Sequence, residues 1–138
     1  MPEKETLRRA QEDAREGKSP STQAGEFVRE EIHHVREGKH GARSASQAIA
    51  IGLSKARRAG VKLRAPKAGA SKRTRSQAKR DAAKGRRHPN AKPSPRRSRA
   101  AKRALSHEGK AAASHESLSR HAQDAAKKRA RTRRRPAR

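Results

Sequence analysis

Large apolar side chains are concentrated in one short part of this chain, and that distribution limits what can fold. Only twelve of the 138 residues are Leu, Ile, Val or Phe. Nine of them lie between residues 27 and 63: Phe27, Val28, Ile32, Val35, Ile49, Ile51, Leu53, Val61 and Leu63. We expect any hydrophobic core to form around this segment, because the remaining residues offer very little apolar surface to bury.

The rest of the composition is that of a chain that stays unfolded on its own. Charged residues make up 38% of the sequence, and 27 of the residues counted as hydrophobic are alanine. Alanine favours helix but adds little area to a core. This composition predicts a mostly disordered/all-α chain in which a small helical hairpin is the folded part.

The first helix of the hairpin is predicted over about residues 21–37. Apolar residues recur there at helical spacing: Ala24, Phe27, Val28, Ile32 and Val35. Ser21 or Thr22 can cap its start, and Gly38 is placed to end it.

The second helix is predicted over about residues 45–59, within "QAIAIGLSKARRAG". Ser44 and Gln47 have the spacing of a capping box, and Gly60 follows a basic last turn. The alternation of Ile49, Ile51 and Leu53 leaves a strand as the other interpretation. In a helix one face carries Ala45, Ile49, Gly52, Leu53 and Ala56, and we expect it to close against the first helix. Ile51 lies off that face, so it is the predicted partner contact.

Three regions follow from these patterns: 1–18, a charged N-terminal helix or arm; 19–63, the helical hairpin; and 64–138, a basic low-complexity tail. The hairpin has a small core, so it could self-associate into a homo-oligomer. Three Ala-rich stretches of the tail, beginning near residues 71, 98 and 114, read as conditional helices. Residues 86–99 hold three prolines and are expected to stay extended.

Charge divides the chain in the same way. Residues 1–40 hold 8 Lys and Arg against 9 Asp and Glu, whereas residues 41–138 hold 31 against 4. A net charge of +27 over the second part predicts a polyanionic partner, and nucleic acid is the abundant one in a cell. An anionic membrane is a poorer fit, because the tail offers only Leu105 and Leu118 for an apolar helix face.

Double-stranded DNA is the predicted nucleic acid, with RNA as the alternative. Single-strand and RNA modules usually stack bases on aromatic rings, and this chain has one Phe and neither Tyr nor Trp. A helix-turn-helix is the alternative DNA-binding arrangement, but it fits less well, because a recognition helix carries polar or basic residues near its N-terminus and the predicted second helix carries its cations at the C-terminal end. The candidate nucleic-acid-binding residues are Lys55, Arg57, Arg58, Lys72, Arg73, Arg75, Lys79, Arg80, Arg86, Arg87, Arg96, Arg97, Lys127, Lys128, Arg129, Arg133, Arg134 and Arg135.

No pattern of an enzyme, a cofactor site or a metal site is predicted. The chain has no Cys, no nucleophile and base at a recognisable spacing, and no phosphate-binding glycine loop. His33, Glu37 and His40 come close to metal-ligand spacing, but a solvated helix face is the preferred interpretation. The N-terminus lacks the apolar core of a signal peptide, so a cytoplasmic location is expected.

The segment "REGKHGARSASQAIAIGLSKARRAGVKL", residues 36–63, resembles a family of small basic bacterial proteins. Its "QAIAIGLSKARRAG" core is the specific signature, and a looser similarity extends through most of the chain from about Ser19. Members of that family are often labelled DNA-binding or plasmid-stabilisation proteins. The resemblance implies a bacterial, intracellular protein and supplies no catalytic residues; with the basic charge, the expected location is the cytoplasm, on the bacterial nucleoid.

Overall fold

Four serines start helices in this protein through their side chains. In a computed structural model, which describes residues 2–67 and 69–134, Oγ of each accepts a hydrogen bond from the backbone N–H three residues on: Ser19, Ser44, Ser71 and Ser114. Such caps satisfy N–H groups that a helix leaves unpaired at its start. Ser44 is the predicted cap. At the first hairpin helix the predicted Ser21 or Thr22 is wrong, since Ser19 takes this position with Pro20 beginning the helix.

The described residues form six α-helices, one 3-10 helix and no strand. The helices are α1 (Lys4–Arg15), α2 (Pro20–Glu37), α3 (Ala45–Arg58), α4 (Lys72–Arg87), α5 (Pro95–Ser106) and α6 (His115–Arg134), with the 3-10 helix at Ala111–Ala113. The all-α prediction and the helix in "QAIAIGLSKARRAG" are confirmed. The prediction of a mostly disordered chain is wrong, because helices occupy most of the described tail as well.

Glycines end the first three helices. Gly17, Gly38 and Gly60 have φ of 73°, 77° and 96°, a left-handed conformation that favours glycine. After each glycine the next backbone N–H bonds back to a carbonyl of the preceding helix, for example Lys39 N to His34 O at 3.0 Å. The recurring "REGK" segments at residues 15–18 and 36–39 are thus two helix ends of the same construction.

Small residues, not the isoleucines, form the buried face of α3. Its buried residues are Ala45, Ala48, Gly52 and Ala56, while Ile49 and Leu53 are half-buried. A Cβ built on Gly52 would lie 2.6 Å from Cα of Val28, so the backbones of α2 and α3 meet directly at this crossing. The predicted face is thus confirmed at Ala45, Gly52 and Ala56, whereas Ile49 and Leu53 lie at its edge, since larger side chains fit only beside so close an approach.

Two apolar clusters lie on the α2–α3 pair, and each is completed from outside it. Phe27 packs with Ala24, with Ala56 and with Ala10 of α1. Val35 forms the second cluster with other small residues: Ala42, Ala48, Ala112 and Ala113. Alanine thus supplies much of the core, which explains why a count of large apolar residues underestimated how much of the chain folds.

A buried carboxylate joins α2 to α3. Glu31 is fully buried and accepts hydrogen bonds from Nζ of Lys55 and, at 3.0 Å, from Nε2 of His40. The other ring nitrogen of His40 lies 2.9 Å from the carbonyl oxygen of Gly41. Pairing of this kind is needed because an isolated buried charge is costly.

The C-terminal helices differ in how firmly they are attached. α4 packs on α3, and α6 contacts α3 and the 3-10 helix, whereas α5 packs against no other helix in the described part of the chain. The end of α5 is tied to the hairpin loop, since Gly41 N donates to Leu105 O at 3.0 Å. Residues 86–99 are not extended throughout as expected, because α5 begins at Pro95, where a proline is well suited to the first helical position.

Candidate nucleic-acid interface

The outer face of α4 is mostly basic. The helix buries Ala78, Asp81 and Gly85, which are spaced to share one face against α3. Its predicted binding residues are all exposed: Lys72, Arg73, Arg75, Lys79, Arg80, Arg86 and Arg87. At 3.6 residues per turn, Lys72, Lys79 and Arg87 point directly away from the buried face. The fold therefore presents these cations to solvent as one surface.

Asp81 holds α4 in this orientation. It is 1% exposed, and Oδ2 accepts from Ser54 Oγ at 2.7 Å while Oδ1 accepts from Arg58 Nε at 2.8 Å. Gln77 of α4 also donates to Oδ1 at 3.0 Å. Gly85 allows the backbones of α3 and α4 to lie close together, since a Cβ at this position would collide with the carbonyl oxygen of Arg57.

The three candidate cations of α3 are engaged within the protein. Lys55 pairs with Glu31, and Arg58 pairs with Asp81. Arg57 donates from Nη2 to the carbonyl oxygen of Arg64 at 3.2 Å. Their role in binding stays a prediction, but in this structure Lys55 links α3 to α2 and Arg58 links α3 to α4.

α5 carries a stripe of cations that is free of packing contacts. Arg96, Arg99, Lys102 and Arg103 recur at intervals of three or four residues, so they share one side of the helix over about 10 Å. No residue of α5 is buried. Of the two predicted binding residues here, Arg96 lies on the stripe and Arg97 lies off it.

α6 has a second stripe, and its other cations surround the helix. Arg120, Lys127, Arg131 and Arg134 share one side at helical spacing, whereas the predicted Lys128, Arg129 and Arg133 point elsewhere. All of these residues are exposed. The predicted Arg135 lies outside the described residues.

The sequence-based prediction did not include five exposed cations of α5 and α6: Arg99, Lys102, Arg103, Arg120 and Arg131. Arg99 fell in the segment expected to be extended, and the conditional helix was expected to begin near residue 98 instead of at Pro95. The signal was present, since Ser94 and Pro95 form a common helix start and the arginines after them keep helical spacing.

Cations of the N-terminal helices are neutralised by neighbouring carboxylates. The hydrogen bonds that Arg8 donates to Glu5 and Glu12 raise the pKa of Arg8 above its ordinary value, and the one that Lys18 donates to Asp13 raises the pKa of Lys18. The pKa of Lys39 is raised by its hydrogen bond to Glu3. Among the described residues, no cation of α4, α5 or α6 has a carboxylate within ion-pair distance. The buried Asp81 of α4 pairs instead with Arg58 of α3. In the described part of the chain, most of the positive charge without a carboxylate partner therefore lies on the C-terminal helices, although Lys4, Arg15, Arg29 and Arg36 of α1 and α2 are also outside any ion pair.

The described surface has no aromatic platform. Phe27 is 1% exposed and packs in the core, as the sequence predicted. Ile51, the predicted partner contact, is half-buried and belongs to neither apolar cluster.

Comparisons with protein-family models, with curated proteins and with solved structures found no match to this chain. Within the described ranges, no helix has both the length and the apolar character required to cross a bilayer.

Proposed function

We propose that this protein binds double-stranded DNA with little regard to sequence, as a histone-like or nucleoid-associated accessory protein. The observation that carries the proposal is the set of exposed cations on α4, α5 and α6 that have no carboxylate partners among the described residues. Such cations neutralise phosphates and release condensed counterions, which gives affinity for any duplex. The charge division along the sequence supports the same function.

Duplex DNA is favoured over single strands by the burial of Phe27. Proteins that bind single strands commonly stack bases on exposed aromatic rings, and the described surface has none. Arginines on free helices can instead contact phosphates or enter a narrow minor groove. Structured RNA offers phosphates too, so the test below includes it.

Sequence-specific reading by α3 is disfavoured by its position. A recognition helix projects its N-terminal side chains toward base edges. Here Ala45 and Ala48 are buried, and the side chain of Gln47 accepts a hydrogen bond from Arg43 N at 2.6 Å. α3 also packs against both α2 and α4, so it acts as the central support for the basic helices.

The resemblance of residues 36–63 to small basic bacterial proteins supports a place on the bacterial nucleoid, where plasmid maintenance is one setting for such binding. In this proposal residues 36–63 form the scaffold and the basic helices carry the contacts. The signature and the DNA-binding surface are then different parts of the chain.

Mobility-shift titrations of unrelated duplexes at several salt concentrations test the proposal. We expect similar affinities for all duplexes, with log K falling linearly against log salt by about 0.9 for each phosphate contact. A complex that is insensitive to salt, or one that forms on a single sequence only, would refute it. Competition with structured RNA at equal phosphate concentration completes the test, since stronger displacement by RNA would assign the surface to RNA.

A matched pair of variants locates the interface. Replacing the four α5 cations Arg96, Arg99, Lys102 and Arg103 by Gln should reduce the salt slope by about 3 to 4. The control variant removes the same net charge by replacing four exposed cations of α1 and α2 by Gln: Lys4, Arg8, Arg15 and Arg29. The control should bind almost as the unmodified protein does, and equal losses in both variants would show that net charge alone accounts for binding.

Ile51 gives a second candidate function, docking on a protein partner. Its side chain is half-buried on α3 and outside both clusters, so an apolar partner could cover it. Ile51→Ser should then lower recovery of that partner from cells while leaving DNA binding intact. Unchanged folding, self-association and partner recovery would remove this candidate.

A further inference from the structure

An acidic cleft lies between the start of α1 and the middle of α2, far along the chain from the basic helices. Its volume is about 310 Å³. Five carboxylates line it, against three cations: Glu3, Glu5, Glu26, Glu30 and Glu37, with Arg9, Arg29 and Lys39. In a protein of net charge +26, this is a local site that attracts cations instead of anions.

Glu30 in this cleft is a buried carboxylate that lacks a counter-ion among the described residues. It is 5% exposed, and no Lys, Arg or His of the described chain is recorded within ion-pair distance of it. Oε1 accepts from Glu3 N at 2.5 Å, but Oε2 is buried without any hydrogen-bond partner. A buried charge of this kind is costly unless it is paired or coordinates a metal.

His34 and Glu3 bring two more ligand atoms to the same place. One atom each from Glu3, Glu30 and His34 lie within 4.8 Å of one another. Nε2 of His34 is 3.1 Å from Oε1 of Glu3, close to the separation of about 3.3 Å between two ligands of a tetrahedral ion at 2.0 Å. Small side-chain rotations would bring all three atoms onto one ion.

The second nitrogen of His34 faces a carboxylate. Nδ1 lies 3.8 Å from Oε1 of the buried Glu31, which is within ion-pair distance and longer than a hydrogen bond. Histidines that bind metals usually donate the far N–H to a carboxylate or a carbonyl, and Glu31 is the carboxylate on that side of His34. The approach from the cleft side is left to Nε2.

We propose that Glu3, Glu30 and His34 form a binding site for a borderline divalent cation of the Zn²⁺ type, which fastens the start of α1 to α2. One imidazole and two carboxylates suit such an ion, and water would complete its coordination. Lys39 competes for the site, since its Nζ lies 3.2 Å from Oε1 of Glu3. The site is independent of DNA binding, because none of its ligands belongs to the basic helices.

Calorimetric titration of the full chain, freed of nucleic acid and treated with chelator, with ZnCl₂ tests this. We expect saturable binding of one ion per chain and a rise in melting temperature. Glu30→Gln and His34→Gln should weaken binding by at least about tenfold, since even outer partners of a ligating histidine are worth roughly 10–100-fold. Glu3→Gln gives a third variant at an exposed position, where loss of folding is not expected. Lys39→Met should bind more tightly, an effect that a purely structural role of these residues would not produce.

Controls separate this site from casual binding to surface residues. His115→Gln and Glu12→Gln remove an exposed imidazole and an exposed carboxylate on other faces, and both should bind as the unmodified protein does. The proposal is overturned if no one-to-one binding occurs, if Glu30→Gln and Glu3→Gln both retain full affinity, or if His115→Gln weakens binding as much as His34→Gln.

Discussion

Gly52 shows how much of this fold depends on the absence of a side chain. It is buried at the crossing of α2 and α3, where Val28 Cα and N would lie within 3 Å of an added Cβ. Gly25 lies in the middle of α2 with nothing within 4 Å of the same position. The two helical glycines therefore make a matched pair with opposite expectations.

Gly52→Ala should destabilise the protein, because α2 and α3 must separate to admit the methyl group. We expect a loss of about 1–3 kcal/mol in the free energy of unfolding, as for other overpacked interiors. Gly25→Ala should instead add about 0.5–1 kcal/mol, since alanine is the better helix former. Urea denaturation followed by circular dichroism measures both. A Gly52→Ala variant as stable as the unmodified protein would contradict the close crossing.

The structural roles of some residues could be predicted from the sequence, and those of others could not. Ser44 and Gly60 could be assigned because capping depends on neighbours a few residues away. Glu31 could not, because its partners Lys55 and His40 come from α3 and a loop, and no local pattern indicates that pairing. The orphaned oxygen of Glu30 is likewise a property of packing between two helices.

At the scale of whole elements, α3 is the helix that organises the others. Its Lys55 reaches back to α2 and its Arg58 reaches forward to α4, through carboxylates that are both almost fully buried. The sequence placed these cations correctly at the C-terminal end of a helix, where they suit the helix dipole. Their ion pairs with Glu31 and Asp81 needed the positions of three helices and were not predicted.

Asp81→Ala should loosen α4 from α3. The change removes the acceptor of Ser54, Gln77 and Arg58, and hydrogen bonds to a charged group contribute roughly 2 kcal/mol. Hydrogen exchange should accelerate at the amides of α4, with those of α2 almost unaffected. Asp124→Ala in α6 removes the same charge from an exposed position and should leave α4 unchanged. Equal exchange of α4 in both variants would contradict the role of Asp81.

For the molecule as a whole, the α2–α3 pair is the centre and not a separate unit. Phe27 is covered partly by Ala10 of α1, and Val35 is covered partly by Ala112 and Ala113, more than seventy residues further along the chain. The sequence indicated the central segment correctly from its large apolar residues. It did not indicate the covering residues, because nothing in the sequence distinguishes the tail alanines that become buried from those that stay exposed.

A fragment of residues 19–63 should therefore be largely unfolded. It lacks α1, α4 and the 3-10 helix, so Phe27 and Val35 would lose the surfaces that cover them. A fragment of residues 1–118 keeps all three and should retain its helices. Circular dichroism with thermal melting distinguishes the two, and a cooperative transition in the short fragment would show that the hairpin folds alone.

The accessible surface area of the protein is large for its mass, in keeping with the exposed helices α5 and α6. Its 10730 Å² exceeds the roughly 7,100 Å² expected of a folded monomer of this mass. α5 and α6 contribute to this excess, since neither buries a residue. A large, positively charged surface on a small core is suited to following an extended polyanion.

The interior of alanine and glycine has a further consequence, which concerns entropy. A methyl group has no rotamers to lose, so burying Ala48, Ala56 or Ala113 costs no side-chain conformational entropy. The long arginine and lysine side chains, which would lose the most on being fixed, remain free in solvent. A chain poor in large apolar residues can therefore fold by lowering the entropic cost of its core instead of increasing the area that it buries.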